Sequence, residues 1–214
     1  KQFVTDANHE LKTPLTLILS NLDIIESEIG KNEWLDDIRG EGERMGELIN
    51  QLVMLSRMDE DLSEMETAEF NLSDMATDIV SEFENLSTER GKRLSADITP
   101  EISYTGDEGM IRRLLSILLD NAVKYCDPGG SIRVRVYRKG HHPVITVENS
   151  YRDIDQVELD RLFDRFYRAD KARTFSGNFG VGLSIAKGIA QKHRGDITVC
   201  KKGDGVIGFK AVLK

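Results

Sequence analysis

Cysteine, proline and tryptophan are scarce: two, four and one among 214 residues. Cys126 and Cys200 are too few for a disulfide framework, and neither has a histidine or cysteine at metal-binding spacing, so both are expected as free thiols serving packing. No run approaches the roughly 20 apolar residues a membrane span needs, and no secretory signal opens the chain. The first residues nevertheless fall inside a periodic pattern already under way, which is the expectation for a piece of a longer protein. Positive charge is also short. Twenty-nine Lys and Arg face 37 Asp and Glu, a net charge of −8 and a pI near 5.1, which argues against a nucleic-acid surface built from clustered cations. No internal repeat or low-complexity tract is visible.

What is present is a 39% hydrophobic, 31% charged composition, that of a globular chain long enough for a proper core. Phe3, Ala7, Leu11, Leu15, Ile18, Leu22, Ile25 and Ile29 recur at spacings of three and four, the apolar stripe of one helix face. This helix is predicted over about 2–28 and stops at Gly30-Lys31-Asn32. Trp34, Leu35, Ile38, Met45, Leu48, Ile49, Leu52, Leu55 and Met58 mark a second helix. The short loop makes the two an antiparallel hairpin, and a hairpin with this much apolar stripe is expected to dimerise into a four-helix bundle.

The acidic, aperiodic stretch SRMDEDLSEMETA from Ser56 to Ala68 is the expected domain boundary, dividing the chain into 1–66 and 67–214. The second part reads as α/β. A strand at 69–72 precedes a helix over 73–90 capped by Ser73. Strands at 94–98 and 102–105 lead to a very apolar helix over 107–125. Strands at 131–138 and 144–147, a short helix at 156–162, a helix over 180–192 and a closing hairpin at 196–200 and 206–213 complete it. Helices on one face of a mixed sheet make a two-layer α/β sandwich.

Three groups of residues carry chemistry. His9 lies off the apolar stripe beside Glu10, whose carboxylate can accept from one ring nitrogen and leave the other nucleophilic. Thr13, a turn later, can hold a water on the same face, and Pro14 removes a backbone donor and is expected to kink the helix there. Next, Asn121, Lys124 and Tyr125 share a helix face: an amide oxygen suited to Mg²⁺, a cation for phosphates, and a ring beside them. Finally, Gly177-Asn178-Phe179-Gly180-Val181-Gly182-Leu183 stands directly before a helix, where glycines admit a phosphate to the helix N-terminus. Arg168, Lys171 and Arg173 place three cations ahead of that loop.

The string His9-Glu10-Leu11-Lys12-Thr13-Pro14-Leu15 resembles the H-box of sensor histidine kinases. In order and spacing the later groups resemble the N-box, F-box and G2-box of the same family's ATP-binding domain, the fold shared with gyrase-type ATPases. The resemblance covers nearly the whole chain. It implies that His9 is the phosphoacceptor, Glu10 its acid-base partner, and Thr13 the residue positioning water to dephosphorylate a response regulator. Asn121 would bind Mg²⁺, and Lys124 and Arg168, with Lys171 beside them, would meet the phosphates of ATP. Tyr125 would lie along the nucleotide, Gly180, Val181, Gly182 and Leu183 would form the hinge of the ATP lid, and Phe163 and Phe166 would be the F-box aromatics.

The chain departs from the family pattern at Ile117, where a second Asn is usual. It departs again at Asn149, Tyr151 and Asp153, which stand for an adenine-reading Asp and two glycines, and at Asn178, which replaces a loop glycine. The expected activity is autophosphorylation of His9 from Mg-ATP, transfer to an Asp of a response regulator receiver domain, and phosphatase action. The alternative is a degenerate kinase with weak or absent nucleotide binding, acting as a scaffold or phosphatase. The implied context is a homodimer on the cytoplasmic side of a bacterial membrane sensor, with no nucleic acid and with the membrane reached only through segments outside this chain.

Overall fold

The computed structural model describes residues 2–58, 65–167, 180–203 and 205–214, with side chains from 11 to 50 and from 65 onward. Two long helices open the chain, α1 (Gln2–Ile29) and α2 (Glu33–Met58). Gly30, at φ +80°, ends α1, and the Asn32 side chain accepts the Trp34 N–H to start α2. As α2 ascends, its partners on α1 descend. Arg39 donates to Asp23 and Glu26, Gly42 faces Leu19, and Gly46 faces Leu15. The hairpin is therefore antiparallel, and Gly42 marks a close approach of its helices: a Cβ there would lie 2.8 Å from Leu19 Cδ2, whereas one at Gly40 would meet open space. Leu15, Leu22, Leu35 and Ile49 are buried between the helices. α1 runs on through Pro14 as helix.

The second part is a two-layer sandwich. β1 (Ala68–Asn71) pairs antiparallel with β3 (Ser103–Gly106) as a small separate sheet. The main sheet has the order β2-β4-β5-β7-β6, from β2 (Arg93–Ile98), β4 (Ser131–Lys139), β5 (His142–Ser150), β6 (Asp196–Lys201) and β7 (Val206–Val212). Among the described strands only β2 and β4 run parallel, because the helical crossover between them reverses direction once more than a hairpin does. Period-two alternation sends Ile132, Val134 and Val136 of β4 inward while Arg133 faces out.

Helices α3 (Leu72–Glu89), α4 (Glu108–Tyr125) and α5 (Gly182–Lys192) cover the inner face. α4 is the central one: Ile111, Leu114, Leu115, Leu118, Leu119 and Ala122 are all fully buried.

The structure moves several expected boundaries. Asn71, not Ser73, caps α3, its side-chain oxygen accepting from the N–H groups of Ser73 and Asp74. Ser73 is buried, and its hydroxyl donates to Thr99 O at 2.7 Å while accepting the Ile102 N–H at 2.9 Å. The helix expected at 156–162 is two 3-10 turns, Ile154–Gln156 and Leu159–Arg161, separated by Val157 in extended conformation. β5 reaches two residues further at its start and three further at its end than the sequence pattern marks, because both its faces are largely covered.

His193, at the C-terminus of α5, ties the ends of two helices together. Its Nδ1 meets Ile189 O at 2.9 Å, and the Asp107 N–H donates to Nε2 at 3.1 Å. A ring nitrogen facing an N–H must be the acceptor, so the proton sits on Nδ1. Burial pushes the His193 pKa below its ordinary value, against the Ile189 carbonyl and the Asp107 carboxylate, which act to raise it.

Candidate functional site

A cavity of about 480 Å³ opens between α4, the start of α5, the ends of β5 and β7, and α2. Asn121, Lys124 and Tyr125 line it from α4, as their shared helix face requires, and Asn149, Gly180, Gly182 and Leu183 line it from the other side. Six of these seven come from two motifs nearly sixty residues apart, so their meeting is a property of the fold. Val181 does not line the cavity; it is fully buried in the core at the N-cap of α5. Arg168, Lys171 and Arg173 lie outside the described residues. α1 spans His9 and Glu10, whose side chains lie outside them too, while Thr13 is exposed on that helix.

Asn149 is the most constrained polar group of the site. It is 1% exposed, and its Oδ1 is buried with no hydrogen-bond partner among the described residues. Its Nδ2 donates to Ser150 O at 3.1 Å, and the same carbonyl accepts the Asp127 N–H at 3.0 Å. With the amide N held by a carbonyl, the oxygen is left as a buried acceptor in the cavity wall, an arrangement that costs free energy until a donor arrives. The neighbouring Glu148 faces the opposite side of the sheet. Burial pushes its carboxyl upward, but hydrogen bonds from Lys202 and Arg135 outweigh that and hold it below the usual value. This pairing fixes which way β5 turns its side chains, and hence that Asn149 points to the helices.

The start of α5 is shaped for an anion. The Val181 N-cap supplies no side-chain hydrogen bond to the first amides of α5, and Gly182 and Leu183, which open the helix, line the cavity with its positive end. Gly180, at φ +71°, lets the chain turn in: a Cβ there would lie 2.5 Å from Tyr167 O. Gly182 packs against α4 at Ile117, where an added Cβ would meet Ile117 Cγ2 at 3.4 Å. Lys124 is held by Asp120 at 2.8 Å.

Of the substituted positions, Ile117 and Tyr151 line the cavity and Asp153 does not; Asp153 is exposed beside the first 3-10 turn. The two phenylalanines expected as F-box aromatics differ. Phe163 packs edge-on against Phe209 at 6.3 Å under Lys187, whereas Phe166 is 58% exposed with φ +64°.

Sequence reasoning missed part of the wall. Arg113, Ser116 and Asp120 extend the α4 face toward its N-terminus, a signal available from helical spacing once Asn121 was singled out. Glu47 and Asn50 come from α2, and no local pattern assigns them to a cavity. Among the described residues no group of three or more His, Cys, Asp or Glu is placed to hold a metal ion, and no helix is long and apolar enough to cross a membrane.

Comparison with known proteins finds two family models on this chain. A family model described as histidine kinase-, DNA gyrase B-, and HSP90-like ATPase matches residues 106–214, and one described as His Kinase A (phospho-acceptor) domain matches residues 1–61. Among curated relatives, the sensor protein DltS of Streptococcus agalactiae is 36% identical over 204 residues, covering 95% of this chain and 52% of that protein. The sensor histidine kinase CusS of Escherichia coli O157:H7 is 34% identical over 208 residues, covering 95% and 43%. The chain thus spans about half the length of the curated relatives it matches. Among solved structures, ShkA in complex with AMPPNP superposes with a TM-score of 0.83 at 20% identity over 99% of this chain and 45% of that one. The Acinetobacter baumannii histidine kinase AdeS gives 0.70 at 21% identity over 96% and 97%. These two likenesses establish the fold.

Proposed function

Because the chain belongs to the sensor histidine kinases of two-component systems, we propose that it binds ATP in the α4–α5 cavity and transfers the γ-phosphoryl group to His9. The observation that carries this reading is the partnerless, buried Asn149 Oδ1 in the cavity wall. An adenine amino group is a donor of the kind that acceptor lacks, and a neutral amide oxygen serves where the family uses a carboxylate. Asn121, Lys124 and Tyr125 would lie along the nucleotide, and the amides opening α5 with Gly180, Gly182 and Leu183 would receive phosphates. Arg168 and Lys171 would add cations, and Val181 would anchor the hinge from the core.

In the reaction, the His9 Nε2 lone pair takes the γ-phosphoryl group, the bond from that phosphorus to the bridging oxygen breaks, and ADP departs. Glu10 accepts from the other ring nitrogen and keeps the attacking one unprotonated. Positioning and charge stabilisation supply most of the acceleration. Asn121 would hold Mg²⁺ through its amide oxygen, and the ion would supply neutralisation of phosphate charge; among the described residues no cluster of three or more His, Cys, Asp or Glu is placed to hold it instead.

The phosphoryl group then passes to an Asp of a response regulator receiver domain, and Thr13 positions water for the reverse, phosphatase, direction. Residues 1–66 form the dimerising phosphoacceptor unit and 67–214 the catalytic one, in the cytoplasmic part of a membrane sensor. Incubation with γ-³²P-ATP labels the chain and leaves His9→Gln unlabelled; equal labelling of both overturns the assignment.

A second reading has its own observation. Ile117 places an apolar side chain in the cavity wall level with the start of α5, removing a polar group from the phosphate end, and a chain that binds nucleotide weakly would act as scaffold or phosphatase. Calorimetric titration with AMPPNP and Mg²⁺ separates the two: saturable micromolar binding supports the kinase, and absence of binding supports the scaffold.

A further inference from the structure

Resting on the nucleotide reading above, we infer that Arg113 is the residue that grips the terminal phosphate, a position beyond the N-box residues assigned from the family pattern. Two observations orient the cavity. Asn149 is fixed through Ser150 O to Asp127, immediately after the C-terminus of α4, so the base end lies near Tyr125. Gly182, which opens α5, meets α4 at Ile117, two turns nearer the α4 N-terminus, so the anion-binding amides are level with Ile117. A nucleotide lying along this wall therefore runs its phosphates past Asn121 and Ile117 toward Arg113. From Tyr125 to Arg113 the helix rises about 18 Å, enough for an extended nucleoside triphosphate to use both ends.

The charges decide which side chain waits there. Among the described residues, the charged groups that α2 and α4 contribute to the cavity are Glu47, Arg113, Asp120 and Lys124. Asp120 and Lys124 are paired with each other at 2.8 Å. Arg113 is exposed, enters no ion pair among the described residues, and sits one turn beyond Ile117 on the same face. Where the chain gives up a polar side chain at 117, the next residue along the row is a guanidinium, whose planar fork suits two oxygens of a phosphate and is always charged. Helical side chains lean toward the N-terminus, so Arg113 reaches outward to the last phosphate and not back over the base.

The test is a pair of titrations of the 214-residue chain with AMPPNP and with ADP, in Mg²⁺, for wild type, Arg113→Gln and Arg113→Lys. Loss of a charge-assisted contact weakens AMPPNP binding of Arg113→Gln by about tenfold to a hundredfold. ADP affinity stays within about twofold, and Arg113→Lys recovers part of the loss. Thermal melts of the three proteins establish that they are equally folded. Equal weakening of both nucleotides, or no weakening of either, overturns the role of Arg113 while leaving the nucleotide site in place. A wild-type chain that binds neither nucleotide overturns the underlying reading and this inference with it.

Discussion

The hairpin and the sandwich treat their apolar residues differently. In α4 of the sandwich every residue from Ile111 to Val123 with an inward-facing apolar side chain is buried, seven of them completely. In the hairpin the stripe is split. Leu15, Leu22, Leu35 and Ile49 are buried against the opposing helix, while Leu11, Ile18, Ile25, Trp34, Ile38 and Met45 are between 40% and 68% exposed. One region is a finished core and the other is half of one. Exposed apolar area on this scale marks an interface, which under the proposed function is covered by a second copy of the same hairpin in a four-helix bundle.

The comparison can be broken from its stronger side first. Leu118→Ala empties a fully enclosed position in the sandwich and is expected to lower unfolding free energy by about 2–5 kcal/mol in denaturant titration. A smaller effect comes from His193. Its folded pKa lies below the ordinary 6.5, so its contribution is complete above about pH 6.5 and is lost as pH falls below that toward the depressed value. Protonated Nε2 would turn a donor against the Asp107 N–H. Melting temperatures between pH 7.5 and 5 should therefore fall more steeply for wild type than for His193→Gln, and parallel slopes would remove His193 as the cause. The least effect on the sandwich comes from Ile18→Lys with Ile25→Lys. Its melting transition should stay where it is, while light scattering reports a shift from dimer to monomer and the hairpin's helicity becomes concentration-independent.

Most of the fold was legible because burial on one side imprints a period on the sequence. The hairpin, α3, α4, α5 and the strands alternating through 131–138 all announced themselves in this way, and the mixed two-layer sandwich followed from their order. Where the reading failed, a tertiary partner overrode a local signal. Ser73 looks like a helix cap, but its hydroxyl is committed to Thr99 and Ile102 across the loop, and Asn71 takes the cap. At 156–162 the apolar spacing suggests a helix, yet Val157 is extended and splits the segment into two 3-10 turns.

The site was legible at its motifs and illegible between them. Asn121, Lys124, Tyr125, Asn149, Gly180, Gly182 and Leu183 do converge. That the Asn149 oxygen is left open depends on Ser150 O holding its amide nitrogen, a contact no spacing encodes. Glu47 and Asn50 lie in a region that reads as plain helix surface, and only the docking of α2 brings them to the cavity.

That docking has a thermodynamic corollary. A cavity whose wall includes both α4 and α2 cannot be filled without regard to the angle between hairpin and sandwich. If a bound ligand favours one angle by some factor in its equilibrium, then fixing that angle from elsewhere changes the ligand's affinity by the same factor. Among the described residues Glu47 and Asn50 are the α2 side chains that line that cavity, so under such a preference a twist applied to the helices and a change in ligand concentration would be interchangeable inputs to the same balance.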